Sequence, residues 1–106
     1  MTSTPTKRQL LTLHENAVKV HYPLIRELVP GNLYFLDVDY KYLYSDPHLT
    51  KPEQPPIKAY TPFILLRQNN KLLEMLFGDK LCYCREETIR RDIWENSIGL
   101  WTIKET

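Results

Sequence analysis

Glycine is scarce in this 106-residue sequence, with single copies at Gly31, Gly78 and Gly99. Glycines so far apart exclude a phosphate-cradling glycine loop, whose amides must cluster within a few residues. Cysteine is rarer still, at Cys82 and Cys84. Residues i and i+2 on a strand point the same way but rarely meet disulfide geometry. Both read as reduced, buried thiols. No charge sign dominates, with 14 Lys plus Arg against 13 Asp plus Glu and a net charge of +1. That balance argues against a strongly cationic nucleic-acid binder and equally against an acidic mimic of nucleic acid. No apolar run approaches the roughly 20 residues of a membrane span. The stretch Met1-Thr2-Ser3-Thr4-Pro5-Thr6-Lys7-Arg8 lacks the apolar core of a signal peptide. The expected address is cytoplasmic, with no membrane partner. Nucleophile elbow, His-Glu-x-x-His and deaminase signatures are missing too.

What is present is aromatic and aliphatic. Hydrophobic residues make up 42% and aromatics 11%, and seven residues are tyrosine. This is the composition of one ordinary domain, expected to span 1–106. Thr4 suits an N-cap and Pro5 a first helical position. Leu10, Leu13, His14, Ala17, Val18, His21, Leu24, Ile25 and Leu28 then recur at helical spacing. Pro23 lacks an amide hydrogen and interrupts them. The spacing predicts a kinked N-terminal helix, or two short helices over about 5–21 and 23–29.

After Pro30-Gly31 the period becomes two. Leu33 to Tyr44 alternates, and the set Tyr34, Leu36, Val38, Tyr40, Tyr42, Tyr44 carries no charge, which assigns it to the core side. Twelve residues is long for one strand, so a bend near Asp39 or two shorter strands is expected. Residues 45–58 hold Pro47, Pro52, Pro55 and Pro56 and read as a Pro-rich loop. A three-strand meander follows: 59–68, Leu72–Phe77 and Leu81–Cys84, with turns at Asn69-Asn70 and Gly78-Asp79. Residues 85–96 read as a short helix and 100–104 as a last strand. The fold class predicted is α+β: the N-terminal helical part (about 5–29) packed on a bent antiparallel sheet or small open barrel (about 32–104). This order of elements is similar to the layout of small barrels of the Src-homology-3 type, a likeness that implies a binding module. The run Tyr60-Thr61-Pro62-Phe63-Ile64-Leu65-Leu66-Arg67-Gln68 also looks like a strand of staphylococcal uracil-DNA glycosylase inhibitors. It covers under a tenth of the chain, and those inhibitors are acidic whereas this chain is neutral.

Several constellations have ordinary structural roles that explain them. Asp37-x-Asp39 places two carboxylates on one strand face, with no third acid beside them; a solvated edge explains them. Cys82-x-Cys84 with His14, His21 and His48 has the wrong spacing for zinc, so no metal and no cofactor are expected. His14 and His21 share a helix stripe and pack there more simply than they switch. Pro52-x-x-Pro55-Pro56 is a short polyproline match best read as a stiff loop. Arg85, Arg90 and Arg91 sit among Glu86, Glu87, Asp92 and Glu95, as on a salt-bridged helix.

The aromatic row carries the functional expectation. Tyr40, Tyr42 and Tyr44 alternate, with Lys41 between them; Tyr60, Arg67, Trp94 and Trp101 complete the candidate partner-binding set. Tyrosine and tryptophan supply large contact area at low entropic cost. The expectation is a small non-enzymatic protein that binds another protein, an accessory or phage-type regulator. The alternative is a nucleic-acid-binding module using Tyr40, Tyr42, Lys41 and Arg67. A small enzyme around Asp37, Asp39 and His48 ranks last. Homodimerisation through a sheet edge is a further option.

Overall fold

The structure is a computed structural model and describes residues 16–21, 27–69 and 71–103. The fold is mostly β. Strands β1 (Ala17–Lys19), β2 (Leu33–Leu36), β3 (Phe63–Asn69), β4 (Leu72–Phe77), β5 (Lys80–Arg85) and β6 (Leu100–Ile103) form one antiparallel sheet in the order β1-β6-β2-β3-β4-β5. The sheet curls into a half-barrel. One full helix among the described residues, α1 (Glu86–Glu95), follows β5 directly.

The last two strands of the meander lie where expected, but the first, expected over 59–68, runs Phe63–Asn69, and the turn expected at Asn69-Asn70 takes in Lys71. In β4, Leu73, Met75 and Phe77 are buried while Leu72, Glu74 and Leu76 are half-buried. Leu73 pairs with Cys84 and Met75 with Cys82, so both thiols face the inner side. The β4–β5 turn begins at Gly78, whose φ of 66° is left-handed and suits glycine. At the β3–β4 turn the left-handed position falls on Lys71 (φ 67°). α1 carries Glu86 and Glu87 in its first turn, where carboxylates complement the helix dipole. Its Ile89 joins Phe63, Leu65, Met75 and Leu100 in one hydrophobic cluster, and Ile93 packs against it.

Three expectations need correction. The helix predicted over 5–21 is a strand at 17–19: Ala17 pairs with Ile103, Val18 with Thr102 and Lys19 with Trp101. Pairing with β6 outweighs the helical spacing there. Of the piece predicted over 23–29, Leu28 and Val29 lie outside any helix, although Leu28 is buried in the core. Residues 5–15 and 22–26 lie outside the described residues. The one full helix among the described residues, α1, is C-terminal; of the described N-terminal residues, Asn16 is helical immediately before β1.

The long strand 33–44 ends as a regular strand at Leu36. A bend at Asp37 and Val38 separates it from isolated bridges at Tyr40 and Tyr44. The bend breaks the two-residue phase. Tyr34, Leu36 and Tyr40 are buried as expected, yet Phe35 and Leu43 of the other set are buried too, and Tyr42 is 38% exposed.

The proline-rich stretch is no plain loop. Residues 40–57 fold back as an irregular hairpin, with Tyr40 bridging Ile57 and Tyr44 bridging Pro52. The Glu53 amide donates to the Leu43 carbonyl (2.8 Å) and the Ser45 amide to that of Lys51 (2.9 Å). Asp46 closes the tip by accepting from the Thr50 and Lys51 amides at 2.9 and 2.8 Å. The hairpin lies along the edge of β5, where Tyr44 and Tyr83 exchange backbone bonds of 2.9 and 2.7 Å. That contact covers part of an edge that would otherwise template further pairing.

Candidate functional site

The aromatic residues singled out in the sequence disperse. Tyr40 is 4% exposed and its hydroxyl donates to Asp92 Oδ2 at 2.7 Å. Asn96 Nδ2 donates to the other oxygen of Asp92 at 2.9 Å. Tyr42 stands edge-on to Tyr40 with ring centroids 5.7 Å apart, and Lys41 Nζ lies 5.2 Å from its ring centre. Tyr44 is half-buried within the hairpin, between Pro52 and Tyr83. Tyr60 (φ 66°) and Trp101 both pack near Phe35, at centroid distances of 5.9 and 6.3 Å, with the Trp101 ring stacked parallel to it. Trp101 Nε1 also donates to Asp37 Oδ2 at 3.2 Å. Arg67 lies in β3, paired with Glu74 at 3.7 Å. Trp94 is 68% exposed. It sits two residues from both Asp92 and Asn96, which turns it to the far side of the helix.

Lys41 and Tyr42 line a shallow depression of about 480 Å³ with Pro56, Asp92, Asn96 and Ile98. Arg67 lines a different one. The structure thus joins Lys41 and Tyr42, places Tyr40 beneath them, and separates them from Arg67.

The acids and thiols are occupied structurally. Asp37 accepts from the Gly99 amide (2.7 Å) and from Trp101, tying the end of β2 to the start of β6. Asp39 accepts from the Ala59 amide at 2.8 Å. The two carboxylates therefore serve separate donors. Glu53 is 9% exposed, bound to Lys80 Nζ at 2.7 Å and approached by Cys82 Sγ at 3.8 Å. Glu86 is buried and accepts from Gln68 Nε2. Burial, then the nearby Glu53 charge, pushes the Cys82 thiol up to about 11. Burial, then Asp92, pushes Cys84 up to about 12. Both cysteines are free and buried, as their spacing suggested.

The outer face of the sheet holds a further surface, built from aliphatic rather than aromatic residues. Leu33 pairs with Ile64, Ile64 with Leu76, and Leu76 with Leu81. Directly opposed residues share a face, so these four make an aliphatic row across β2, β3, β4 and β5. Ile64 and Leu81 are 40% and 38% exposed, and neighbouring Leu66 is 43% exposed. A solvated antiparallel face ordinarily shows polar residues. The signal was present in the sequence: Phe63-Ile64-Leu65-Leu66 is apolar on both phases of the alternation.

A β-bulge adds charge beside the row. Leu65 pairs with Met75 but Arg67 with Glu74, leaving Leu66 as the extra residue. The bulge shifts the phase and aims Arg67 outward. Above this end of the face stands the hairpin tip. Pro47, His48 and Leu49 wall a groove of about 400 Å³ with Arg67, Lys71, Leu72, Glu74 and Arg85 on its other sides. No protein family model, no curated protein and no solved structure matches this chain.

Proposed function

We propose that this chain is a small non-enzymatic binding module, an accessory or regulator of the phage type, that docks a protein partner on the outer face of its sheet. The aliphatic row Leu33–Ile64–Leu76–Leu81, with Leu66 beside it, carries this reading. Apolar side chains in register on adjacent strands gain by leaving water together. The structural engagement of Asp37, Asp39, Glu53 and Asp92 supports a binding role over a catalytic one. Exposed Trp94 and the Lys41–Tyr42 pair are secondary contact points. For the nucleic-acid alternative, the stacking face needs Tyr40, Tyr42, Lys41 and Arg67 together; Tyr40 is buried and Arg67 lines another depression.

The test is site-specific photocrosslinking from position 64 or 81 in native lysate, compared with a Leu66→Asp/Leu76→Asp variant carrying the same probe. The expected outcome is a discrete protein adduct that the variant does not form, although both unfold at similar temperatures. No adduct at either position, or one the double variant retains, sinks the proposal.

A further inference from the structure

Folding changes which charges a partner can touch. Glu53, Glu86 and Asp92 are buried, whereas each described lysine is exposed, as is each described arginine except Arg90. Among the described residues, ten Lys and Arg face eleven Asp and Glu, so burying three of the acids makes the contact chemistry of their surface more basic than that count suggests. The groove under the hairpin tip concentrates this bias. Arg67, Lys71 and Arg85 reach it from the end of β3, the β3–β4 turn and the end of β5. Glu74 offsets Arg67, the side chains being 3.7 Å apart. Lys71 and Arg85 form no ion pair among the described residues, and they outnumber Glu87 on the same rim. The floor at Leu72 shares its face with Leu76 and Ile64 of the aliphatic row.

We infer that this groove takes an acidic segment of a protein partner. Its carboxylates would lie between Lys71 and Arg85 and its apolar side chains on Leu72, Leu76 and Ile64. The inference rests on the protein-binding reading above and specifies the partner's chemistry. Charge complementarity chooses the sign: with Arg67 and Glu74 offsetting each other, Lys71 and Arg85 against Glu87 leave a net positive rim that favours an acidic residue over a basic one. The aliphatic floor favours a polypeptide over a nucleic acid, whose bases ask for exposed aromatic platforms.

The probe is a fluorescein-labelled peptide of alternating glutamate and leucine. It is compared with the lysine–leucine peptide of equal length and with a labelled oligothymidylate, followed by anisotropy and by amide shifts of isotope-labelled protein. The expected result is saturable binding of the glutamate peptide, with shifts at Leu72, Arg85 and His48 rather than at Lys41 and Tyr42. Lys71→Glu/Arg85→Glu should weaken it by about tenfold or more, since two exposed charge contacts are lost and two repulsions added. The same variant should gain affinity for the lysine peptide, which shows that it is folded. Should it unfold, Lys71→Gln/Arg85→Gln replaces it, with loss of affinity again expected. No binding of the glutamate peptide, equal binding of the lysine peptide, or tighter binding of oligothymidylate overturns the inference. A crosslink at position 64 without glutamate-peptide binding leaves the docking face standing and removes only the acidic partner.

Discussion

Burial holds both thiols protonated, and this has a chemical and a thermodynamic consequence. Thiolate is the reactive form, so Cys82 and Cys84, raised to about 11 and about 12, should resist a disulfide-exchange reagent at pH 8 and react fully only in denaturant. Rapid labelling of the native protein would contradict the packing. Because the ordinary value is 9.0, the folded state binds more protons than the unfolded chain above that pH. Stability should be complete below pH 9 and fall as pH rises toward 11 and 12. Tyr40 adds to this from its ordinary 10.0, raised by burial, the neighbouring Cys84 and the bond to Asp92. Urea unfolding in a pH series measures the decline. Gly99 is constrained differently. A Cβ there would collide with Asp37 Oδ2 and Trp101 Nε1. Gly99→Ala should disrupt the Asp37 bonds and destabilise by about 1–3 kcal/mol, measured by denaturant midpoint.

At the scale of elements, the hairpin of residues 40–57 is held by backbone bonds to β5 and by the Glu53–Lys80 pair. The two partners are unequally placed, with side-chain exposures of 10% for Glu53 and 47% for Lys80. Removing Lys80 leaves a buried carboxylate without its ammonium; removing Glu53 leaves an ammonium that water can solvate. Lys80→Met should therefore cost more than Glu53→Gln, by about 1–2 kcal/mol. Both should speed hydrogen exchange at the Tyr44 and Tyr83 amides. Equal costs would show that the pair does not anchor the hairpin. The sequence concealed this element because Glu53 looks like a loop charge among prolines, and its partner is 27 residues away. The last two strands of the meander were legible because their turn and their alternation are local, with the strands two residues apart.

For the whole molecule, the half-barrel sorts charge and apolar surface in ways that composition does not report. Acids at 53, 86 and 92 go inward and cations stay outward, while one phase of the run 63–66 is left facing solvent. Association with an acidic partner should weaken as salt is raised, through screening of Lys71 and Arg85. Its apolar part should persist. Anisotropy of the glutamate peptide across a salt series separates the two contributions, and a flat response would remove the charge component.

The sequence by itself determined the last two strands of the meander, α1, the last strand and the burial of both thiols, because neighbours within a few residues dictate period and turn. It also marked the aromatic residues, though not their places. Tertiary structure decided that 17–19 pair with β6 rather than continue a helix, since a ladder partner 86 residues away at Ile103 outweighs local spacing. It placed Tyr40 beneath Tyr42 by supplying Asp92 as acceptor, 52 residues away. It aimed Arg67 outward through the Leu66 bulge and set the hairpin tip across a groove from Leu72 and Arg85. Each of these outcomes depends on contacts between distant segments, and no window of the sequence contains both halves.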